Sequence, residues 1–153
     1  MGQSVEKRCE PTSIGGVLLV DEDLEQLEFA RGIIQGIGYS VQACNSYKEG
    51  MRQLVSGAFA VIVVGQGSRD FEGRCVLEGA SEFNRRLPVV VLARDLEMEC
   101  YLEAMQLGAV DYVAEPFGGA EIARVMRNWA PRRQAVLEGE KRNSTSTSER
   151  PDA

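Results

Sequence analysis

Apolar residues in this chain fall into short unbroken runs separated by longer stretches with helical spacing. The first run, Val17-Leu18-Leu19-Val20, lacks the alternation of a strand with one face in water. Such runs suit strands buried on both faces, as in a parallel sheet. Asp21-Glu22-Asp23 follows at once, and acids are favoured where a helix begins. From there Leu24, Leu27, Ala30, Ile34 and Ile37 recur at helical spacing until Gly36 and Gly38 end the pattern.

The same alternation repeats along the chain. Ser40–Ala43 reads as a strand, and Ser46 caps a helix through Val55 with Met51, Leu54 and Val55 inward. Ala60–Val64 is a fully apolar strand, followed by a glycine-rich loop from Gly65 to Gly73 and a weakly patterned helix over Val76–Asn84. Pro88 opens the strand Val89–Ala93, and Asp95 opens a helix through Leu107 that stops at Gly108. Asp111–Ala114 is the last strand and Ala120–Trp129 the last helix, with Pro131 to end or kink it. Five strands alternating with five helices specify an open parallel sheet with helices on both faces, since each crossover is right-handed. The strand ends at Val20, Val64, Ala93 and Ala114 converge at the carboxyl edge, where sites form in this class.

The 153 residues divide into a polar leading segment (1–13) expected to be disordered, one domain (14–130), and a Ser/Thr-rich tail or linker (131–153). No apolar run approaches a membrane span and the first residues do not form a signal peptide, so a cytoplasmic location is expected. The net charge is −6, with the acids concentrated in the body, which argues against direct nucleic-acid binding. Arg124, Arg127, Arg132 and Arg133 cluster near the end and read as a charged last turn running into a solvated tail. The chain has no histidine, and its four cysteines, Cys9, Cys44, Cys75 and Cys100, share no metal-binding spacing. Zinc hydrolase, Ser–His and Cys–His chemistries are thereby disfavoured, and no enzyme is expected.

Four segments in order, VLLVDED, FAVIVVG, LPVVVLA and GAVDYVAEPF, resemble landmarks of the response-regulator receiver family. Gly73, eight residues past Gly65, also falls where the family has glycine. The likeness covers about residues 14–130 and implies a flavodoxin-like (βα)5 fold. That fold is a doubly wound five-stranded parallel sheet with strand order 2-1-3-4-5. It also implies a role in two-component (phosphorelay) signal transduction, with a sensor kinase or a fused output domain as partner. By the same resemblance Asp21 and Glu22 are the acidic pair of the first strand, and Glu115-Pro116 matches a peptide that is often cis.

Three departures remove the family's chemistry. The phosphoacceptor aspartate is replaced by Gly65, the Thr or Ser of the fourth strand by Ala93, and the lysine before the final Pro-Phe by Glu115. Nucleophile, hydrogen-bond donor and counter-charge are lost together. Asp21, Glu22 and Glu115 are expected to crowd one cleft, where like charges repel by about 4 kcal/mol per close pair at an effective dielectric near 20. Arg94 is the candidate cation, paired with Glu115. Mg²⁺ or Ca²⁺ on Asp21, Glu22 and a main-chain carbonyl near Gln66 is the less favoured alternative, because magnesium demands near-ideal octahedral oxygens and the family's central ligand is missing.

The expected function is that of a phosphorylation-independent pseudo-receiver acting through protein contacts. Its homodimer face lies on the fourth helix, last strand and last helix, with Tyr101, Met105, Tyr112, Met126 and Trp129 as interface candidates. Tyr112 also matches the family's switch aromatic, and Ala93 leaves room for its ring to point inward. Two other readings stand beside this one: a receiver phosphorylated at a non-standard residue such as Asp70, and a small-ligand or metal sensor using the acidic cleft.

Overall fold

A computed structural model describes residues 16–115 and 118–130. The elements are β1 (Gly16–Val20), α1 (Leu24–Gly36), β2 (Val41–Cys44), α2 (Tyr47–Ser56), β3 (Phe59–Gly65), α3 (Arg74–Phe83), β4 (Val89–Ala93), α4 (Met98–Gln106), β5 (Asp111–Ala114) and α5 (Gly119–Trp129). The leading segment, the tail with Arg132 and Arg133, and the state of the Glu115–Pro116 bond lie outside the described residues.

All strand pairs are parallel, in the order β2-β1-β3-β4-β5. This is the doubly wound, flavodoxin-like sheet that the alternation of elements and the resemblance implied. Alternate residues of each apolar run pack on opposite faces of the sheet. Val17, Leu19, Val61, Val63, Val90 and Leu92 meet α1 and α5 through Leu27, Ile34, Ile122 and Met126. Leu18, Val20, Ile62, Val64, Val89 and Val91 meet α2, α3 and α4 through Leu54, Leu77 and Ala104. Two buried faces explain why the strands carry no polar alternation. In register, Val20 stands between Cys44 and Val64, and Ala93 beside Ala114, which brings the carboxyl ends level.

Helix starts follow local chemistry. Asp23 caps α1, its Oδ1 accepting from the backbone N–H groups of Glu25 and Gln26. Ser46 caps α2, its Oγ accepting from the Glu49 N–H. Asp95 does not open α4 as expected; the helix begins at Met98, and its N-cap Glu97 makes no side-chain cap bond. Val55, expected inward, is 60% exposed, and Leu24, part of the helical spacing of α1, is 56% exposed. Leu24 is the first residue of α1. In α2 the inner stripe is Tyr47, Gly50 and Leu54, so Val55 is turned about 100° away from Leu54. Among the described residues no helix is long and apolar enough to cross a membrane.

Gly50 sets how closely α2 approaches β1, since a Cβ there would lie 2.7 and 2.8 Å from the two methyls of Val20. Gly50→Ala gains about 1 kcal/mol of helix propensity but meets an overpacking cost of roughly 1–3 kcal/mol. Overpacking outweighs propensity here, and urea unfolding should show a net loss of about 1 kcal/mol. A variant more stable than the parent would contradict this packing account.

Candidate functional site

The carboxyl ends of β1, β3 and β4 border a cleft of about 440 Å³ lined by Asp21, Glu22, Asp23, Gln26, Tyr47, Gly67, Ser68, Glu72 and Arg94. Asp21 directly follows β1 and is only 4% exposed. Its Oδ1 accepts from the Asp23 N–H at 2.9 Å and its Oδ2 from Gln26 Nε2 at 2.7 Å. Burial raises the Asp21 carboxyl pKa from 3.8 to about 6; the Gln26 bond and the Arg94 charge oppose that rise, and the Glu22 charge adds to it.

Gly65 ends β3 beside it. A Cβ at position 65 would lie 2.5 Å from Asp21 Cγ and 2.8 Å from its Oδ1. The Asp21 carboxyl therefore fills the space that a side chain on Gly65 would need. The Gly65 carbonyl accepts from the Tyr47 hydroxyl at 2.9 Å, and burial, with the nearby Asp21 charge, holds that phenol protonated well above its usual range.

Beyond Gly65 the loop is closed by its own bonds. Glu72 accepts from the Ser68 N–H at 2.6 Å and from Ser68 Oγ at 2.7 Å, which holds its carboxyl below the usual range. Asp70 is exposed, its N–H donates to Ser68 Oγ, and it is not among the cleft-lining residues.

The expected pairing of Arg94 with Glu115 is corrected by the structure. Arg94 lines the cleft and pairs with Asp23. The guanidinium thus runs from the end of β4 across β3 to the start of α1. Glu115 is exposed on the bend after β5, its N–H donating to the Ala93 carbonyl, and it does not line the cleft. The cleft carboxylates are thus Asp21, Glu22, Asp23 and Glu72.

Position 65 offers no side-chain ligand for magnesium, and among the described residues no three His, Cys, Asp or Glu side chains are grouped to share a metal.

Tyr112 reaches inward from β5, its hydroxyl donating to Gln66 Oε1 and accepting from the Glu97 N–H at 3.4 Å. The rings of Tyr101 and Tyr112 meet edge to face at 5.4 Å. Of the expected interface residues, Met105 and Trp129 are exposed and Tyr101 is half-buried. Met126 is corrected: it is 1% exposed, because it sits on the inner stripe of α5 with Ile122 and Val125.

A doubly wound parallel sheet with an acidic cleft at its carboxyl edge defines a CheY-like, flavodoxin-type domain. The family profile described as "Response regulator receiver domain" matches residues 17–127, and the chain belongs to that family. Its members are the receiving modules of two-component signalling and work with kinases and output domains. Among curated proteins, transcriptional regulatory protein ZraR of Escherichia coli K12 is 25% identical over 100 residues, 65% of this chain and 23% of ZraR. Transcriptional regulatory protein QseB of Escherichia coli O157:H7 is 26% identical over 107 residues, 70% of this chain and 49% of QseB. The chain therefore spans between about a quarter and a half of these relatives. A receiver domain protein from Clostridium thermocellum superposes with a TM-score of 0.70 at 18% identity, covering 81% of this chain and 99% of that one. The receiver domain of NtrX from Brucella abortus gives 0.66 at 22%, covering 73% and 95%.

Gln26, Tyr47, Glu72 and the side chain of Gln66 escaped the sequence reading. Each is a polar residue placed at the site by a loop or a helix start, and no periodicity marks it. Asp23 carried a signal in its N-cap position, and that position left one carboxylate oxygen free for Arg94.

Between about pH 4 and 6 the folded chain binds more protons at Asp21 than the unfolded chain does, so this group makes stability fall as pH rises through that window. Asp21→Asn keeps the acceptor for the Asp23 N–H and removes the buried charge. It should raise unfolding free energy by about 1–2 kcal/mol at pH 7.5, after discounting for solvent reaching the cleft, and by much less at pH 4.5. Equal gains at both pH values, or a loss at pH 7.5, would exclude a buried charge at Asp21.

Proposed function

We propose that this receiver domain signals by protein contact and accepts no phosphoryl group. The observation that carries the reading is Gly65 at the end of β3, with the Asp21 carboxyl in the space of its missing side chain. Ala93 adds no hydroxyl at the cleft edge, and Glu115 brings a negative charge to the end of β5 where the family has a lysine. An acyl phosphate needs a carboxylate nucleophile with room for the incoming phosphorus and a cation to offset its charge. Asp21 is hydrogen-bonded at both oxygens, and Arg94 is already paired with Asp23. Asp70 is the remaining carboxylate considered for this role, and it stands outside the cleft lining.

Exposure of the protein to acetyl phosphate with Mg²⁺ should leave its intact mass unchanged, while a receiver with the usual aspartate gains one phosphoryl group under the same conditions. A phosphoryl adduct on this chain, mapped to Asp70 or elsewhere, would replace the reading with that of a working receiver.

The partner proposed is a second copy of the chain, joined through the face made by α4, β5 and α5. Leu102, Met105 and Trp129 are exposed there at 52, 38 and 36%. Glu99 lies in the first turn of α4 and Asp95 in the loop before it, whereas α5 carries Arg124 and Arg127. A two-fold pairing that sets each α4 against the partner's α5 brings opposite charges together around an apolar centre. Sedimentation equilibrium at micromolar concentrations should report a dimer, and Met105→Glu should shift it to monomer by tenfold or more in Kd with an unchanged melting temperature, the effect of placing a charge in a desolvated centre. A parent chain that stays monomeric at high micromolar concentration removes this partner.

A further inference from the structure

We propose that Gln66 and Tyr112 form an internal latch that fixes the start of α4, and with it an exposed apolar ridge. The inference deepens the proposed function and rests on it for the use made of the ridge; the latch itself stands on hydrogen bonding.

Gln66 is 2% exposed and held at every polar group. Its N–H donates to the Leu92 carbonyl at 2.7 Å, and its carbonyl accepts from the Gly73 N–H at 3.0 Å. The side-chain amide donates to the Ser68 carbonyl at 3.3 Å, and Oε1 accepts from the Tyr112 hydroxyl. A side chain anchored at both ends cannot follow Tyr112 if the ring swings out, so the bond opposes that swing.

To meet Gln66, Tyr112 must cross β4, which lies between β3 and β5 in the sheet. Val91 and Tyr112 both pack on the side of α2, α3 and α4, and strand alternation points Ala93 to that side as well. A methyl group there leaves the ring its path.

At its far end the latch holds a helix that has no cap of its own. Glu97, the N-cap of α4, makes no side-chain cap bond. Its N–H donates instead to the Tyr112 hydroxyl, and its carbonyl accepts from the Tyr101 N–H at 2.8 Å. The Tyr101 ring then stands edge-on to Tyr112 at an interplanar angle of 82°. From the first residue of α4 onward, Met98, Leu102 and Met105, spaced i, i+4 and i+7, form one outward ridge that is 56, 52 and 38% exposed. The pose of that ridge therefore depends on a glutamine buried at the edge of the cleft.

Amide hydrogen exchange on Tyr112→Phe, Gln66→Met and the double variant tests the latch. Tyr112→Phe keeps the ring and removes one oxygen, and Gln66→Met keeps the volume. Gln66→Met should speed exchange at Glu97 and Tyr101 by about fivefold to tenfold, the effect of one buried hydrogen bond, and Tyr112→Phe, which also removes the acceptor of the Glu97 N–H, by at least as much, with β1 unchanged in both. The double variant should be no faster than Tyr112→Phe alone, because that change already removes the bond that Gln66→Met breaks. Unaltered exchange in Tyr112→Phe, or effects that multiply in the double, overturn the latch. A chain that takes up phosphate or stays monomeric while showing these shifts keeps the latch and loses the contact-signalling reading. A dimeric, phosphate-free chain without the shifts keeps that reading and loses the latch.

Discussion

The site is organised by one buried carboxyl group packed into the gap above a glycine. Asp21 sits where β1 ends, out of water, and Gly65 is what makes room for it. A carboxylate in that position must be bonded, and the Asp23 N–H and the Gln26 amide supply its two partners. Arg94 reaches over β3 to pair with Asp23. The cation of the cleft is thus committed to the start of α1, and the cleft has little left with which to hold an incoming anion.

The loop after β3 is built to hold still. Gly67 adopts φ +88°, a value that suits glycine, and Phe71 takes φ +59° with its ring 2% exposed. A non-glycine residue in that region costs about 1–3 kcal/mol, which burial of the aromatic ring offsets. Ser68 and Glu72 close the turn between them. Gln66 lies at the root of this rigid segment, and its bond to Tyr112 runs from the loop to the start of α4. Cleft and outer face are therefore joined by hydrogen bonds that run from Gln66 through Tyr112 to Glu97.

The fold was legible in the chain because each strand is a run of apolar residues without polar alternation, which only a sheet covered on both faces accommodates. Val17–Val20 and Val89–Ala93 carry that message in five residues or fewer. The helix starts at Asp23 and Ser46 were legible for a local reason, since a capping oxygen acts within three residues. Where no side chain caps a helix, as at α4, the start was misplaced at Asp95. Val55 and Met126 were misassigned because both lie on short helices, where a turn of about 100° per residue decides between core and water.

By itself the sequence determined the family and, through that resemblance, the strand order, and the glycine at position 65 is visible in it as a letter. Which groups stand together was decided by the tertiary structure alone. Arg94 meets Asp23 instead of Glu115, Asp21 fills the gap at Gly65, and Gln66 reaches Tyr112 across β4. Each of these contacts joins residues from different strands or loops, so its existence depends on the twist, register and spacing of the sheet. Those quantities belong to the packed chain, and no local run of residues encodes them.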